Sequence, residues 1–259
     1  MIATDQVAVI TGASSGIGRA IAQQFYGSGW NVIVHGSRQV GGLAAEKATP
    51  AASPPDRLAL VADFRCQEQL DELVRVAFAR HRYVDCWINA AGADVLTGAA
   101  RLGTFEEKLE ALWQVDVRAC MRLSRAAARA MQQQTVRPEL PSIINLGWDQ
   151  AILGMEGDSG QFFAACKGAV MAFSNSLAKS VGPRIRVNCV APGWIQTAWG
   201  KAASEAWQRR ARDESCLGRW GTPQDVAKMV FFLASPAASF ISGQTIQVNG
   251  GWKSSSAFE

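Results

Sequence analysis

Thr11-Gly12-Ala13-Ser14-Ser15-Gly16-Ile17-Gly18 is the stretch of this sequence best suited to hold a phosphate group. The apolar run Val7-Ala8-Val9-Ile10 leads into it and reads as a short buried strand. After Gly18, the residues Ala20, Ile21, Phe25 and Trp30 begin an amphipathic helical pattern. A glycine turn between a strand and a helix start presents free N–H groups and the positive end of the helix dipole to an anion. Gly12 permits the sharp turn, Gly16 lets the backbone approach a pyrophosphate, and Gly18 lets the helix pack closely on the strand. Ser14, Ser15 and Ile17 complete the cradle. The competing interpretation is a tight turn without a ligand. A second clue follows the apolar run Asn31-Val32-Ile33-Val34-His35, where the chain reads Gly36-Ser37-Arg38 and has no acid up to Gly42. A dinucleotide fold that takes NAD sets an acid on the ribose 2′-hydroxyl near this strand end, whereas a basic residue suits the 2′-phosphate of NADP. Ser37 and Arg38, with no acid beside them, predict NADP(H). The alternative is a solvated turn arginine.

These residues need a frame, and composition bounds it. A chain of 259 residues suits one large α/β domain over residues 1–259. Its 48% apolar and 19% charged content is that of a soluble globular protein. The balance of +4 is slight and dispersed, which argues against nucleic acid or an acidic membrane surface as partners. No apolar run reaches membrane-spanning length, and Met1 to Asp5 lead straight into the first strand with no room for a secretory leader. A cytoplasmic location is expected. Cys66, Cys86, Cys120, Cys166, Cys189 and Cys216 show neither CxxC nor metal spacing, which predicts reduced, mostly buried thiols. His35 and His81 are the only histidines, so a histidine-rich metal site is excluded and no metal is expected.

The remaining elements alternate. Residues 48–56 are rich in Pro, Ala and Ser and read as a surface loop. Further strands are read at 58–62, 84–89, 142–146 and 185–190, with a last one after Ile241. Helices are read at 67–80, 104–134, from Gln161 onward, and near 223–226. Strand–helix alternation predicts a single Rossmann-type, doubly wound parallel sheet of about seven strands with helices on both faces. Its ligand crevice lies at the carboxyl ends of the strands. The segments Asp63-Phe64, Asn89-Ala90-Ala91-Gly92 and Pro192-Gly193-Trp194-Ile195-Gln196-Thr197 all fall at that edge.

The spacing Gly-x3-Gly-x-Gly preceded by Thr11 departs from the usual dinucleotide fingerprint. It resembles the version found in the short-chain dehydrogenase/reductase family, and the resemblance extends over about residues 5–252. Its general similarity to the oxoacyl-carrier-protein reductase branch is high. It implies that Asp63 and Phe64 flank the adenine, although Asp63 also suits a helix N-cap. Asn89, Ala90 and Gly92 would line the dinucleotide. Pro192, Gly193, Ile195 and Thr197 would hold the nicotinamide amide. Residues 197–217 would form a substrate lid, in which Trp199 and Trp207 are aromatic contacts or simple packing. The resemblance also implies a homotetramer or homodimer acting on a small-molecule substrate.

The same resemblance implies a catalytic serine, a Tyr-x-x-x-Lys pair and an asparagine that orders a water. Lys167 is present, but the tyrosine position is Phe163, the asparagine position is Asp116, and by register Trp148 stands where the serine belongs. The loop after the fifth strand is about two residues long for the family, so the register can slip, and Ser159 is a conceivable stand-in. Tyr26 and Tyr83 are the only tyrosines, and neither lies in a segment that could replace the missing one. Phenylalanine has no proton to give and tryptophan offers only an N–H. Peroxisomal-type 2,4-dienoyl-CoA reductases resemble this pattern, with an acid at the Asp116 position, no signature tyrosine and the lysine kept. The expectation is an NADP(H)-dependent oxidoreductase that reduces a conjugated C=C or C=N bond, with Lys167 and Asp116 as its catalytic residues. Two alternatives stand beside it. One is a carbonyl reductase of the oxoacyl-carrier-protein kind, and the other is a non-catalytic NADP-binding protein or scaffold.

Overall fold

The structure is a computed structural model that describes residues 5–37 and 55–253. Seven strands form one parallel sheet: β1 (Val7–Thr11), β2 (Asn31–Gly36), β3 (Arg57–Val61), β4 (Cys86–Asn89), β5 (Ser142–Leu146), β6 (Arg186–Pro192) and β7 (Thr245–Val248), in the order β3-β2-β1-β4-β5-β6-β7. Strand order reverses between β1 and β4, and Thr11 pairs with Asn89 at the carboxyl ends of those two strands. The crevice between them is where such a sheet takes its ligand. The sheet of about seven strands expected from the alternation is therefore present.

The strands are apolar on both faces because both are covered. Ala8, Ile10, Val32 and Val34 pack on one face against α1 (Gly16–Gly27) and α9 (Pro223–Ala234) through Ile21, Phe25, Val226 and Val230. Val7, Val9, Ile33 and Ile143 alternate to the other face. There they meet α2 (Gln67–Arg80), α4 (Cys120–Gln132) and α6 (Gly157–Val181). The remaining helices are α3 (Phe105–Leu112), the one-turn α5 (Gln150–Leu153), α7 (Ala198–Ala202) and α8 (Glu205–Asp213). Among the described residues, no helix is long and apolar enough to cross a membrane.

Two helices differ from the sequence-based expectation. The single helix expected over 104–134 is interrupted by a π-helical segment, Trp113–Ala119, between α3 and α4. Such insertions change which side chains point inward, and this one carries the buried Asp116. The helix expected from Gln161 starts at Gly157. Its glycine-rich opening reads as loop locally, but Gly160 packs so tightly on the Met155 backbone that a Cβ would lie 2.1 Å from the Met155 carbonyl oxygen. Tertiary contact overrides local preference there.

Candidate active site

The cradle is built by close backbone contact. A Cβ on Gly18 would lie 2.2 Å from the Gly12 carbonyl oxygen, and one on Gly12 would lie 2.5 Å from Ala91 Cα. The β1–α1 turn is thus pressed against both the start of its own helix and the segment after β4. Ser15 is the N-cap of α1 and makes no side-chain capping bond, so its hydroxyl does not take up the first-turn donors. Thr197 Cγ2 lies 3.6 Å from where a Gly16 Cβ would sit, which brings the segment after β6 over the helix start. Arg19 donates to the Ser14 carbonyl at 2.5 Å and braces the turn from inside α1.

His35 is part of this support, and nothing in its sequence context marks it. Burial lowers its pKa to about 4, partly offset by its bond to the Ala62 carbonyl, so the ring is neutral. With Nε2 donating to Ala62 O at 2.9 Å, Nδ1 is left to accept from the Gly12 N–H at 3.4 Å. The ring stacks on Phe64 at 4.1 Å. Phe64 is therefore fixed beside the glycine turn. Asp63 pairs with Arg65 at 2.6 Å, and Cys66, not Asp63, is the N-cap of α2. Ser37 is exposed at the end of β2. Arg38 lies outside the described residues.

The side chain of Asn89 is engaged inside the protein. Nδ2 donates to Ser124 Oγ at 2.9 Å and to Asn145 Oδ1 at 2.8 Å, and Oδ1 accepts from Trp87 Nε1 at 3.0 Å. Asn145 continues the chain of bonds to Ser174 on α6 at 2.9 Å. What Asn89 offers the crevice is the placement of Ala90, Ala91 and Gly92, with the N–H groups of Ala90 and Ala91 held by Thr11 Oγ1.

Lys167 and Asp116 meet in a buried ion pair, Nζ to Oδ2, at 2.8 Å. Asp116 Oδ1 accepts the Ala93 N–H at 2.7 Å, and Lys167 also donates to Leu146 O at 3.3 Å. Burial pulls the Lys167 pKa down, but the charge and hydrogen bond of Asp116 outweigh it and leave the ammonium above its ordinary value. The stabilisation this gives is fully present below the ordinary lysine pKa and is lost only as pH rises through the higher folded value, in the alkaline range. Phe163 stands one turn before Lys167 and meets Trp148 edge-on at 6.0 Å and Phe162 at 5.1 Å. The Phe163 ring therefore stands one helical turn from the lysine, with Trp148 edge-on to it. Ser159 is half-buried in the first turn of α6. Tyr26 lies on α1 beneath Arg57, and Tyr83 precedes the amino end of β4 under Arg137, at the edge of the sheet opposite the crevice. Burial pushes the thiols of Cys120 and Cys189 up to about 12, so they stay protonated.

Four tryptophans after β6 form an aromatic cluster. Trp194 lies 6.2 Å from Trp199, 5.4 Å from Trp207 and 6.0 Å from Trp220. Arg210 sits over the Trp207 ring at 5.1 Å and pairs with Glu156 and with Glu214. Trp199 and Trp207, left open between contact and packing by the sequence, pack on one another here at 5.9 Å. Sequence reasoning passed over Asp149, whose side chain is buried next to the Pro192–Gly193 turn. Burial is the main cause raising its pKa to about 6, with bonds from Asn249 and Gln150 opposing and Glu214 adding to the rise. Between the ordinary carboxylate range and pH 6 the folded chain holds this proton more tightly than the unfolded one. Raising the pH through that window therefore withdraws stability.

A dinucleotide fits these residues: an uncapped helix start, a glycine turn with Thr197 across it, and an adjoining sheet crevice. Comparison with known proteins agrees with this geometry. Residues 12–253 match the family model described as enoyl-(acyl carrier protein) reductase. The chain is 34% identical over 248 residues to the 3-oxoacyl-[acyl-carrier-protein] reductase FabG of Escherichia coli K12, covering 95% of this chain and 96% of the relative. It is 32% identical over 250 residues to the enzyme of the same name from Chlamydia trachomatis, covering 95% and 97%. Among solved structures, it is similar to a 3-ketoacyl-(acyl-carrier-protein) reductase from Brucella melitensis complexed with NADH. That match has a TM-score of 0.81 and 28% identity, and covers 95% of this chain and 97% of that one. The sheet order, the cradle and these matches together show that the chain belongs to the short-chain dehydrogenase/reductase family of oxidoreductases, on its FabG-like branch.

Proposed function

We propose that this protein is an NADP(H)-dependent reductase of a conjugated C=C or C=N bond whose active site works without the family's tyrosine acid. The observation that carries this reading is the buried Lys167–Asp116 pair, with the Phe163 ring one helical turn from the lysine and Trp148 edge-on to that ring. A reduced nicotinamide supplies the hydride when bound. Gly12 to Gly18 hold its phosphates, Ser37 and Arg38 take the 2′-phosphate, and Lys167 donates to the nicotinamide ribose. Phe163 cannot protonate a developing alkoxide. Trp148 is much larger than serine and narrows the site toward flat, conjugated substrates. Asp116, already anchored by Ala93 and Lys167, orients the water that returns a proton to carbon or nitrogen. Assembly as a homodimer or homotetramer and a cytoplasmic location belong to the same proposal. The identity to 3-oxoacyl-[acyl-carrier-protein] reductases favours a second reading, carbonyl reduction of an acyl substrate.

Screening the wild type with NADPH against dienoyl, enoyl, imine and keto substrates tests these readings. Turnover of a conjugated substrate is expected, and turnover of simple ketones alone would favour the second reading. No hydride transfer despite NADPH binding would make the protein a non-catalytic binder. Asp116→Asn keeps an oxygen for the Ala93 N–H but sets its amide NH2 against the Lys167 ammonium and removes the charge. It is expected to lower turnover by about 10²-fold, the low end for a positioned acid–base group, while NADPH affinity holds. Unchanged turnover would assign Asp116 to structure alone. For the cofactor, Arg38→Ala is expected to weaken NADPH by about tenfold or more and leave NADH unaffected, because a charge-assisted phosphate contact is lost. Equal loss for both cofactors in calorimetry would sink the NADP assignment.

A further inference from the structure

Asp149 is a buried titratable group to which the proposed reaction gives no role, and its carboxylate sits where three segments meet. Oδ1 accepts the Gln150 N–H at 2.8 Å, and Oδ2 accepts from Asn249 Nδ2, just past β7, at 3.1 Å. The Asp149 N–H donates to Pro192 O at 3.2 Å. Gly193 packs so closely that a Cβ there would lie 2.9 Å from Asp149 Oδ2 and 2.5 Å from Asn249 Cβ. Asp149 therefore joins the loop that carries Trp148, the Pro192–Gly193 turn and the tail after β7. That tail pairs with the segment after α8. The N–H groups of Cys216 and Leu217 donate to Gly251 O at 3.0 Å and Gly250 O at 3.1 Å, and Lys253 N–H donates to Glu214 O at 3.0 Å. Glu214 in turn accepts from Trp194 Nε1 at 2.8 Å and pairs with Arg210, which also pairs with Glu156. Among the described residues, Glu214 is the charged side chain that bears on Asp149 from that segment.

We propose that Asp149 is a positioning residue whose ionised form locks the Trp148 loop to the tail, with the Pro192–Gly193 turn packed between them, and that the locked arrangement is the one that binds a dinucleotide. The proposal rests on the cofactor part of the function proposed above. As a carboxylate, Asp149 accepts from Gln150 and Asn249 together. Protonation on Oδ2 turns that oxygen into a donor that meets the Asn249 amide donor to donor, so the tie to the tail is lost. Burial beside Glu214 brings this change to about pH 6. Removing the Asn249 donor withdraws support from the ionised form and must move the transition to higher pH.

The test is NADP⁺ calorimetry from about pH 5 to pH 8, together with tryptophan emission of the ligand-free protein, on wild type, Asp149→Asn and Asn249→Ala. Trp148 and Trp194 flank the lock in sequence and report its state. In the wild type, emission is expected to titrate near pH 6. NADP⁺ affinity should fall about tenfold below that midpoint, the change that one unit of pKa linkage gives. Asp149→Asn should bind weakly throughout and show only the slope of the 2′-phosphate, which all three proteins share. Asn249→Ala should keep the transition at higher pH, and it carries the test if Asp149→Asn does not fold. A wild-type profile in Asp149→Asn, or an unmoved midpoint in Asn249→Ala, overturns the proposal. Absence of NADP⁺ binding at every pH sinks the cofactor assignment and the proposal with it. That outcome is distinct from failure of the proposal alone, in which NADP⁺ binds with an unchanged profile.

Discussion

Lys167→Ala is expected to destabilise the fold by about 3–5 kcal/mol, the range for breaking a buried ion pair from one side. The Asp116 side chain has only 3% of its surface exposed, so without Lys167 its carboxylate keeps the Ala93 N–H and loses its counter-charge. Dinucleotide affinity should fall in the same variant, because the ribose donor is gone. The double variant Asp116→Asn/Lys167→Met separates the two effects. It removes both charges while keeping similar shapes, and it should recover most of the stability without recovering the affinity. Urea unfolding of the wild type and the two variants, with NADPH calorimetry on those that fold, reads both quantities. A single Lys167→Ala variant as stable as the wild type would show that the pair is solvated. Affinity restored in the double variant would remove Lys167 from the cofactor site.

Gly18→Ala should be more damaging still, at about 4 kcal/mol or above, the range reached when a buried backbone contact has no way to relax. The added methyl would sit 2.2 Å from the Gly12 carbonyl oxygen and 3.2 Å from the Ala13 nitrogen, and these are backbone atoms of the cradle. Gly27→Ala, in the same helix, is the control. Nothing lies within 4 Å of a Cβ there and its φ is not positive, so the substitution should be neutral or stabilising by up to about 1 kcal/mol. Thermal melts of the two variants side by side distinguish a packing requirement at Gly18 from a general helix effect in α1. Equal melting temperatures would mean that α1 shifts away from β1 to accommodate the methyl, and the cradle would then not depend on that contact.

The amino-acid sequence by itself determined the sheet, the helices that cover it and the place of the ligand crevice. These follow from local patterns. Short apolar runs give strands buried on two faces, and 3.6-residue periodicity gives helices such as α2, which the sequence and the structure bound alike at Gln67–Arg80. The cradle was legible for the same reason, since a strand, a glycine turn and a helix start are neighbours along the chain. The partners of polar side chains were not legible, because they come from distant segments. The resemblance places Asn89, the last residue of β4, at the cofactor, but no local pattern shows that α4 and β5 present Ser124 and Asn145 to its side chain. The Lys167–Asp116 pair depends on a π-helical segment that no periodicity signals, and it forms only when that segment is laid against α6. Asp149 looked like one polar residue in a loop. Tertiary packing removed it from water, placed Glu214 near it and left Asn249 and the Gln150 N–H as its donors. Desolvation of a charge depends on what surrounds it in space, which adjacent residues along a chain do not specify.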